Sequence, residues 1–111
     1  MTRKSHTTWA RLYSAVNDLA TGRGSVQNRL YYAFVTLSHL KTEVFPEELR
    51  ADFESVKQVL TSVNPGTDKS LGDVERIEAN ALAMDDARAE EMAKKIVAMF
   101  NRIARKYCQD D

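Results

Sequence analysis

Hydrophobic residues recur at steps of three and four along most of the chain. The clearest run consists of Val26, Leu30, Ala33, Leu37, Leu40 and Val44. Side chains at these steps share one face of an α-helix. The pattern therefore predicts a helix over residues 25–44, and we interpret this helix as the element around which the other helices pack.

The same periodicity predicts four further helices. They are expected at about 8–20, 46–63, 70–83 and 85–107, with glycine, proline and other turn residues between them. No stretch of useful length alternates with period two, as a half-buried strand would. Helical stripes joined by short loops favour antiparallel neighbours. The sequence therefore predicts an all-α fold, a compact antiparallel bundle of four to five helices in a single domain (1–111), with residues 1–6 as a flexible tail.

The central predicted helix has an unusual second face. At about 100° per residue, Tyr32, Val35 and His39 point away from the main stripe, where a surface helix is normally charged. Two interpretations stay open. Helices of the same chain cover this face and make it core, or the face is uncovered and forms an aromatic patch, bordered by Arg29 and Lys41, that binds a partner.

Charge is balanced overall but unevenly distributed. Lys plus Arg and Asp plus Glu number 16 each, which gives no global reason to expect nucleic acid or an anionic membrane as partner. Residues 1–41 carry six bases and one acid, residues 42–91 carry five bases and thirteen acids, and residues 92–111 carry five bases and two acids. The chain is therefore basic, then acidic, then basic, and this ordering favours contacts between unlike surfaces.

Cysteine content and hydropathy indicate the compartment. Cys108 is the only cysteine, so a framework of intrachain disulfides and a multi-cysteine zinc site are both excluded. A reducing compartment is the simplest setting. The longest apolar run, residues 31–35, is far too short to cross a bilayer, and the basic N-terminus leads into no apolar core of signal-peptide length. We expect a cytoplasmic protein with no membrane partner.

Residues that could carry catalysis are few. The acidic pair Glu47-Glu48 and two similar pairs lie near predicted helix starts, where capping and the helix dipole explain them. Asp52 lies at the edge of a hydrophobic stripe, and we expect it to form a salt bridge at the rim with an arginine such as Arg29. No nucleophile elbow, dinucleotide fingerprint or metal-ligand spacing occurs. We therefore expect no enzyme activity, no cofactor and no metal.

Two functional hypotheses follow. The first is a non-enzymatic protein–protein interaction module, either a small accessory or regulatory subunit of a larger bacterial complex or a homo-oligomer. Its candidate partner-binding residues are Tyr32, Val35, His39, Arg29, Arg102 and Arg105. The alternative is a small subunit that binds single-stranded nucleic acid through its basic N-terminal third, where arginines could follow phosphates beside aromatic rings. Its candidate residues are Arg3, Lys4, Arg11, Arg23 and Arg29.

Overall fold

The computed structural model describes the backbone of residues 3–62 and 72–109, and the side chains of residues 6–62 and 72–106. Within these ranges the chain forms five α-helices and no strand. They are α1 (Arg3–Thr21), α2 (Val26–Ser38), α3 (Glu47–Thr61), α4 (Asp73–Leu82) and α5 (Asp86–Gln109). The predicted all-α bundle is confirmed. Residues 63–71, which include the predicted turn before the fourth helix and the start of that helix, lie outside the described residues.

The bounds of the first two helices differ from those predicted. Helix α1 begins at Arg3, so it takes in residues 3–6 of the segment expected to be a tail. The prediction of one helix over 25–44 is wrong beyond Ser38, where α2 ends. The Ser38 hydroxyl donates to the Val35 carbonyl at 2.7 Å and closes the last turn. The chain is extended at Lys41 and then forms a short 3₁₀ turn, Thr42–Val44.

This 3₁₀ turn is held by side chains from two helices. The Thr8 hydroxyl of α1 donates to the Val44 carbonyl at 3.1 Å. The Arg50 guanidinium of α3 donates to the Phe45 carbonyl at 3.0 Å and to the Glu43 carbonyl at 3.2 Å. Because these bonds satisfy backbone carbonyls outside any helix, the turn can deliver the Phe45 side chain into the core.

Helix α2 is central, as the sequence predicts. It packs against α1, α4 and α5, and its inner face is fully buried at Leu30, Ala33, Phe34 and Leu37. The Phe34 ring lies 6.2 Å from the Phe53 ring of α3. A third ring, that of Phe45, stacks on Phe53 at 4.2 Å. This aromatic cluster joins α2, α3 and the 3₁₀ turn into one core.

Polar contacts bridge α3 and α5 on the solvent side of the core. They are Lys95 to Ser55 at 3.3 Å, Arg102 to Asp52 at 3.3 Å, and Lys106 to Glu48 at 3.0 Å. The carboxylates and the hydroxyl come from one edge of α3, and the cations come from one edge of α5. These contacts fix the register of two antiparallel helices. No helix in the described part of the chain is long and apolar enough to span a membrane.

Candidate interaction surface on α2

The outer face of α2 is open to solvent at its centre. The Tyr32 side chain is 56% exposed. Val35 lies at the edge of the core, where it is partly buried, and His39 is exposed and follows the end of the helix as its C-cap. Tyr32 and His39 are therefore more accessible than Val35, which lies between them in the chain. Tyr32 is the member that a partner could reach with a large part of its side chain.

A second tyrosine fixes the surroundings of Tyr32. The Tyr31 ring lies 4.9 Å from the Tyr32 ring, measured between centroids. The Glu78 carboxylate of α4 lies near the Tyr31 hydroxyl. Partial desolvation, followed by the interaction with Glu78 and the nearby charge of Glu75, raises the pKa of Tyr31 above its usual value. We name Tyr31, Tyr32, Glu75 and Glu78 the tyrosine surface.

The border of this surface differs from the predicted one. Arg29 does not flank Tyr32, because its guanidinium donates to the Leu19 carbonyl at 3.0 Å and to the Ser25 carbonyl at 3.4 Å. It therefore satisfies a free carbonyl near the C-terminus of α1. Carboxylates of α4 lie near Tyr31, so the surface has an acidic edge that the sequence did not indicate.

The basic end of α5 is also partly engaged. Arg102 pairs with Asp52, which corrects the predicted pairing of Asp52 with Arg29 while keeping the salt bridge at the rim. Lys106 pairs with Glu48. A hydrogen bond from its own backbone N–H, followed by the one from Lys106, lowers the pKa of Glu48. Arg105 is exposed, and it shares with these side chains a shallow depression of about 400 Å³.

Of the residues proposed for nucleic acid, Arg23 and Arg29 lie at the same end of α1, because the Arg29 side chain packs against Gly22. Arg11 is exposed on α1, and Arg23 is exposed in the turn after α1. Arg11 precedes the last residue of that helix by ten positions, or about 15 Å along its axis. Arg29 is bonded to backbone carbonyls. The side chains of Arg3 and Lys4 lie outside the described residues.

An aromatic cluster between α1 and α5 was missed by the sequence analysis. Trp9 stacks on Tyr13 at 5.5 Å, and Phe100 lies 6.2 Å from Trp9 and 6.1 Å from Tyr13. Tyr13 is 54% exposed, while Trp9 and Phe100 are partly buried. Their periodicity places Trp9 and Phe100 on core stripes, but both lie at the edge of the core. The spacing of Tyr13, four residues after Trp9, could have indicated the cluster, because it places a second aromatic ring beside the hydrophobic stripe of α1.

The fold and these surfaces define the class of the protein as an all-α bundle with tyrosine-bearing surfaces. Comparison with protein-family models, curated proteins and solved structures finds no match to the chain. In the described part of the chain, no three side chains of His, Cys, Asp or Glu lie close enough together to hold a metal ion.

Proposed function

We propose that the chain is a non-enzymatic interaction module that binds another protein through the tyrosine surface of α2, as a small accessory or regulatory subunit in the cytoplasm. The observation that carries this proposal is the exposure of Tyr32 at the centre of an otherwise core-forming helix. Tyrosine is enriched in binding hot spots because it gives large contact area and loses little rotamer entropy when it is fixed.

The residues around Tyr32 restrict its movement before a partner binds. The Tyr31 ring packs beside it, and the Glu78 carboxylate lies near the Tyr31 hydroxyl. Because α2 is anchored on its inner face by fully buried residues, the backbone under Tyr32 is part of the rigid core. A surface fixed in this way loses little conformational entropy when a partner binds.

The charge of the surface indicates the partner's chemistry. Glu75 and Glu78 are exposed and lie beside the tyrosine rings. A partner segment with arginine or lysine side chains could place a cation over the Tyr32 ring and near these carboxylates. We therefore expect the partner to present a basic segment, and we expect its association rate to fall with salt concentration.

The test uses tagged chains in the native host, with Tyr32→Ala and Tyr13→Ala as a matched pair. Both side chains are about equally exposed, at 56% and 54%, but they lie on different faces. Proteins retained by the parent and by Tyr13→Ala, but lost with Tyr32→Ala, are identified and purified. Binding is then measured by calorimetry, and Tyr32→Ala is expected to weaken it by at least about tenfold. Equal affinity of the parent and Tyr32→Ala for every such protein would contradict the proposal.

Single-stranded nucleic acid is the alternative partner. It has less support, because the Arg29 guanidinium is bonded to backbone carbonyls and Arg11 lies about 15 Å along α1 from the end where Arg23 and Arg29 lie. A titration with fluorescent oligonucleotides at low salt tests it. If the chain is a protein-interaction module, we expect the oligonucleotides not to bind, or to bind with an affinity that Arg11→Glu and Arg23→Glu do not change. Binding that both substitutions weaken, with a steep dependence on salt, would favour the alternative.

A further inference from the structure

Most of the large hydrophobic side chains that are exposed in the described part of the chain lie on α2 and α4. They are Tyr32 at 56%, Val74 at 38% and Leu82 at 52% exposure, and the fourth such residue is Tyr13. Val74, Glu78 and Leu82 follow each other at steps of four residues, so they form one row about 12 Å long on α4. All three members of this row are exposed to solvent.

The row lies at the edge of α4 nearest to α2. Helices α2 and α4 run antiparallel, because the Gln27 amide at the start of α2 donates at 3.0 Å to the Met84 carbonyl just after the end of α4. One turn further along α2, Tyr31 lies near Glu78, in the middle of the row. The Tyr32 ring is 4.9 Å from the Tyr31 ring. Tyr32 and the row therefore border one groove, which we name the α2/α4 groove.

The α4 side of this groove carries an acid between two apolar side chains. Glu78 is exposed and forms no ion pair with another described residue. The neighbouring carboxylate, that of Glu75, lies over Gly72, where an added Cβ would meet its Oε2 at 2.8 Å. That position is the start of α4, where the helix dipole stabilises a negative charge. Of these two carboxylates, Glu78 is therefore the better placed to meet a cation from outside.

We infer that the α2/α4 groove binds one amphipathic helix of another protein, with a lysine or arginine that has an apolar residue four positions before it and another four positions after it. The inference rests on the proposed function, because Tyr32 borders the same groove. The base of the partner meets Glu78, and its two apolar residues meet Val74 and Leu82. This pattern is the same in both directions, so either orientation of the partner helix satisfies it.

The backbone and the dimensions of the groove favour a helix as the occupant. Helices α2 and α4 offer no strand edge to an extended peptide, whereas a helix satisfies its own backbone groups. Packed helices lie about 8–10 Å apart, so a third helix about 10 Å wide contacts both of them. Helix α4 has 10 residues and is about 15 Å long, which is about three turns of the partner. The groove is too small for the roughly 800 Å² per side of a standard interface between folded domains.

A peptide library displayed on yeast tests the charge pattern. The peptides have about 15 residues on an alanine-rich helical template, with the positions of one face randomised, and the cells are sorted with the labelled parent chain. Enriched peptides are expected to carry lysine or arginine with apolar residues four positions before and after it. Sorting with Glu78→Lys is expected to enrich aspartate or glutamate at the central position instead. Glu90→Lys makes the same charge change at an exposed position on α5 and is expected to enrich the parent's pattern.

Fluorescence anisotropy with one enriched synthetic peptide then measures the contribution of each side chain. Glu78→Lys is expected to weaken binding by at least about tenfold and Leu82→Ala by several-fold, while Glu90→Lys leaves it unchanged. Circular dichroism checks that each variant keeps its helix content. The inference would be overturned by a library without enriched peptides, by a central position without preference for a base, or by equal effects of Glu78→Lys and Glu90→Lys.

The same peptide separates this inference from the proposed function. Binding that Tyr32→Ala weakens, but Glu78→Lys and Leu82→Ala do not, would overturn the helix-binding groove and leave the proposed function intact. Binding that Glu78→Lys and Leu82→Ala weaken supports the groove, even if native partners bind Tyr32→Ala and the parent equally. That second result for the native partners would contradict only the proposed function.

Discussion

Replacing Phe34 by alanine should show that α2 has one face committed to the core. The Phe34 ring is fully buried and lies 6.2 Å from Phe53, whose ring also stacks on Phe45. The substitution removes a phenyl ring from a place with no route to solvent. A cavity at the meeting point of α2, α3 and the 3₁₀ turn is the expected result.

The size of the effect follows from this burial. Phe→Ala substitutions in cores cost about 3–5 kcal/mol, and we expect about 4 kcal/mol here because the neighbouring rings are fixed by their own packing. A chain of 111 residues has an unfolding entropy of about 0.23 kcal/mol/K near its midpoint. The melting temperature of Phe34→Ala should therefore fall by about 17 °C.

Circular dichroism during thermal and urea unfolding measures this loss. Tyr32→Ala is the control, since it removes another aromatic ring from the same helix two residues away. Because Tyr32 is 56% exposed, its loss should change the unfolding free energy by no more than about 0.5 kcal/mol. A cost of less than about 1 kcal/mol for Phe34→Ala, or equal destabilisation of the two variants, would show that Phe34 does not lie in a tightly packed core.

Three further predictions concern polar and backbone positions. Glu48→Gln should lower the melting temperature at neutral pH. The pKa of Glu48 is lower in the folded state, so the charged form stabilises the fold. The difference in melting temperature from the parent should therefore vanish as the pH falls through and below 4.5. Asn80→Ala should cost about 2–4 kcal/mol in urea unfolding, since its buried amide donates to two carbonyls at the end of α3, at 2.8 and 2.9 Å. Gly24→Ala should cost about 1–2 kcal/mol in the same assay, because Gly24 has a φ of +89°.

Periodicity predicted the bundle because each helix buries one stripe. The steps through Leu30, Ala33 and Leu37 identified the buried side of α2 correctly. The same rule continued the helix to Val44, because it counts apolar residues and does not detect a hydroxyl that closes a turn. The bonds of Ser38 to Val35 and of Thr8 to Val44 come from side chains that no hydrophobic pattern includes.

The candidate surface was less predictable than the fold. The exposure of Tyr32 could be predicted from its angular position on the helix, which follows directly from the spacing of residues in the sequence. Its acidic surroundings do not, because Glu75 and Glu78 belong to α4, more than forty residues away in the chain. Arg29 has the spacing of a surface residue, but the end of α1 offers free carbonyls that bind its guanidinium. The charged side chains that lie beside a given surface are determined by how the helices pack, and the local sequence does not encode this packing.

A photo-crosslinking amino acid placed at two positions in the native host tests the central claim most directly. The residue replaces Tyr32 in one variant and Tyr13 in another, and the crosslinked products are identified by mass spectrometry. Position 32 is expected to crosslink to a different protein, while position 13, which is about equally exposed on another face, is expected not to crosslink to that protein. If position 32 gave no crosslink to another protein while other exposed positions did, the claim that the tyrosine surface of α2 is the binding site would be contradicted.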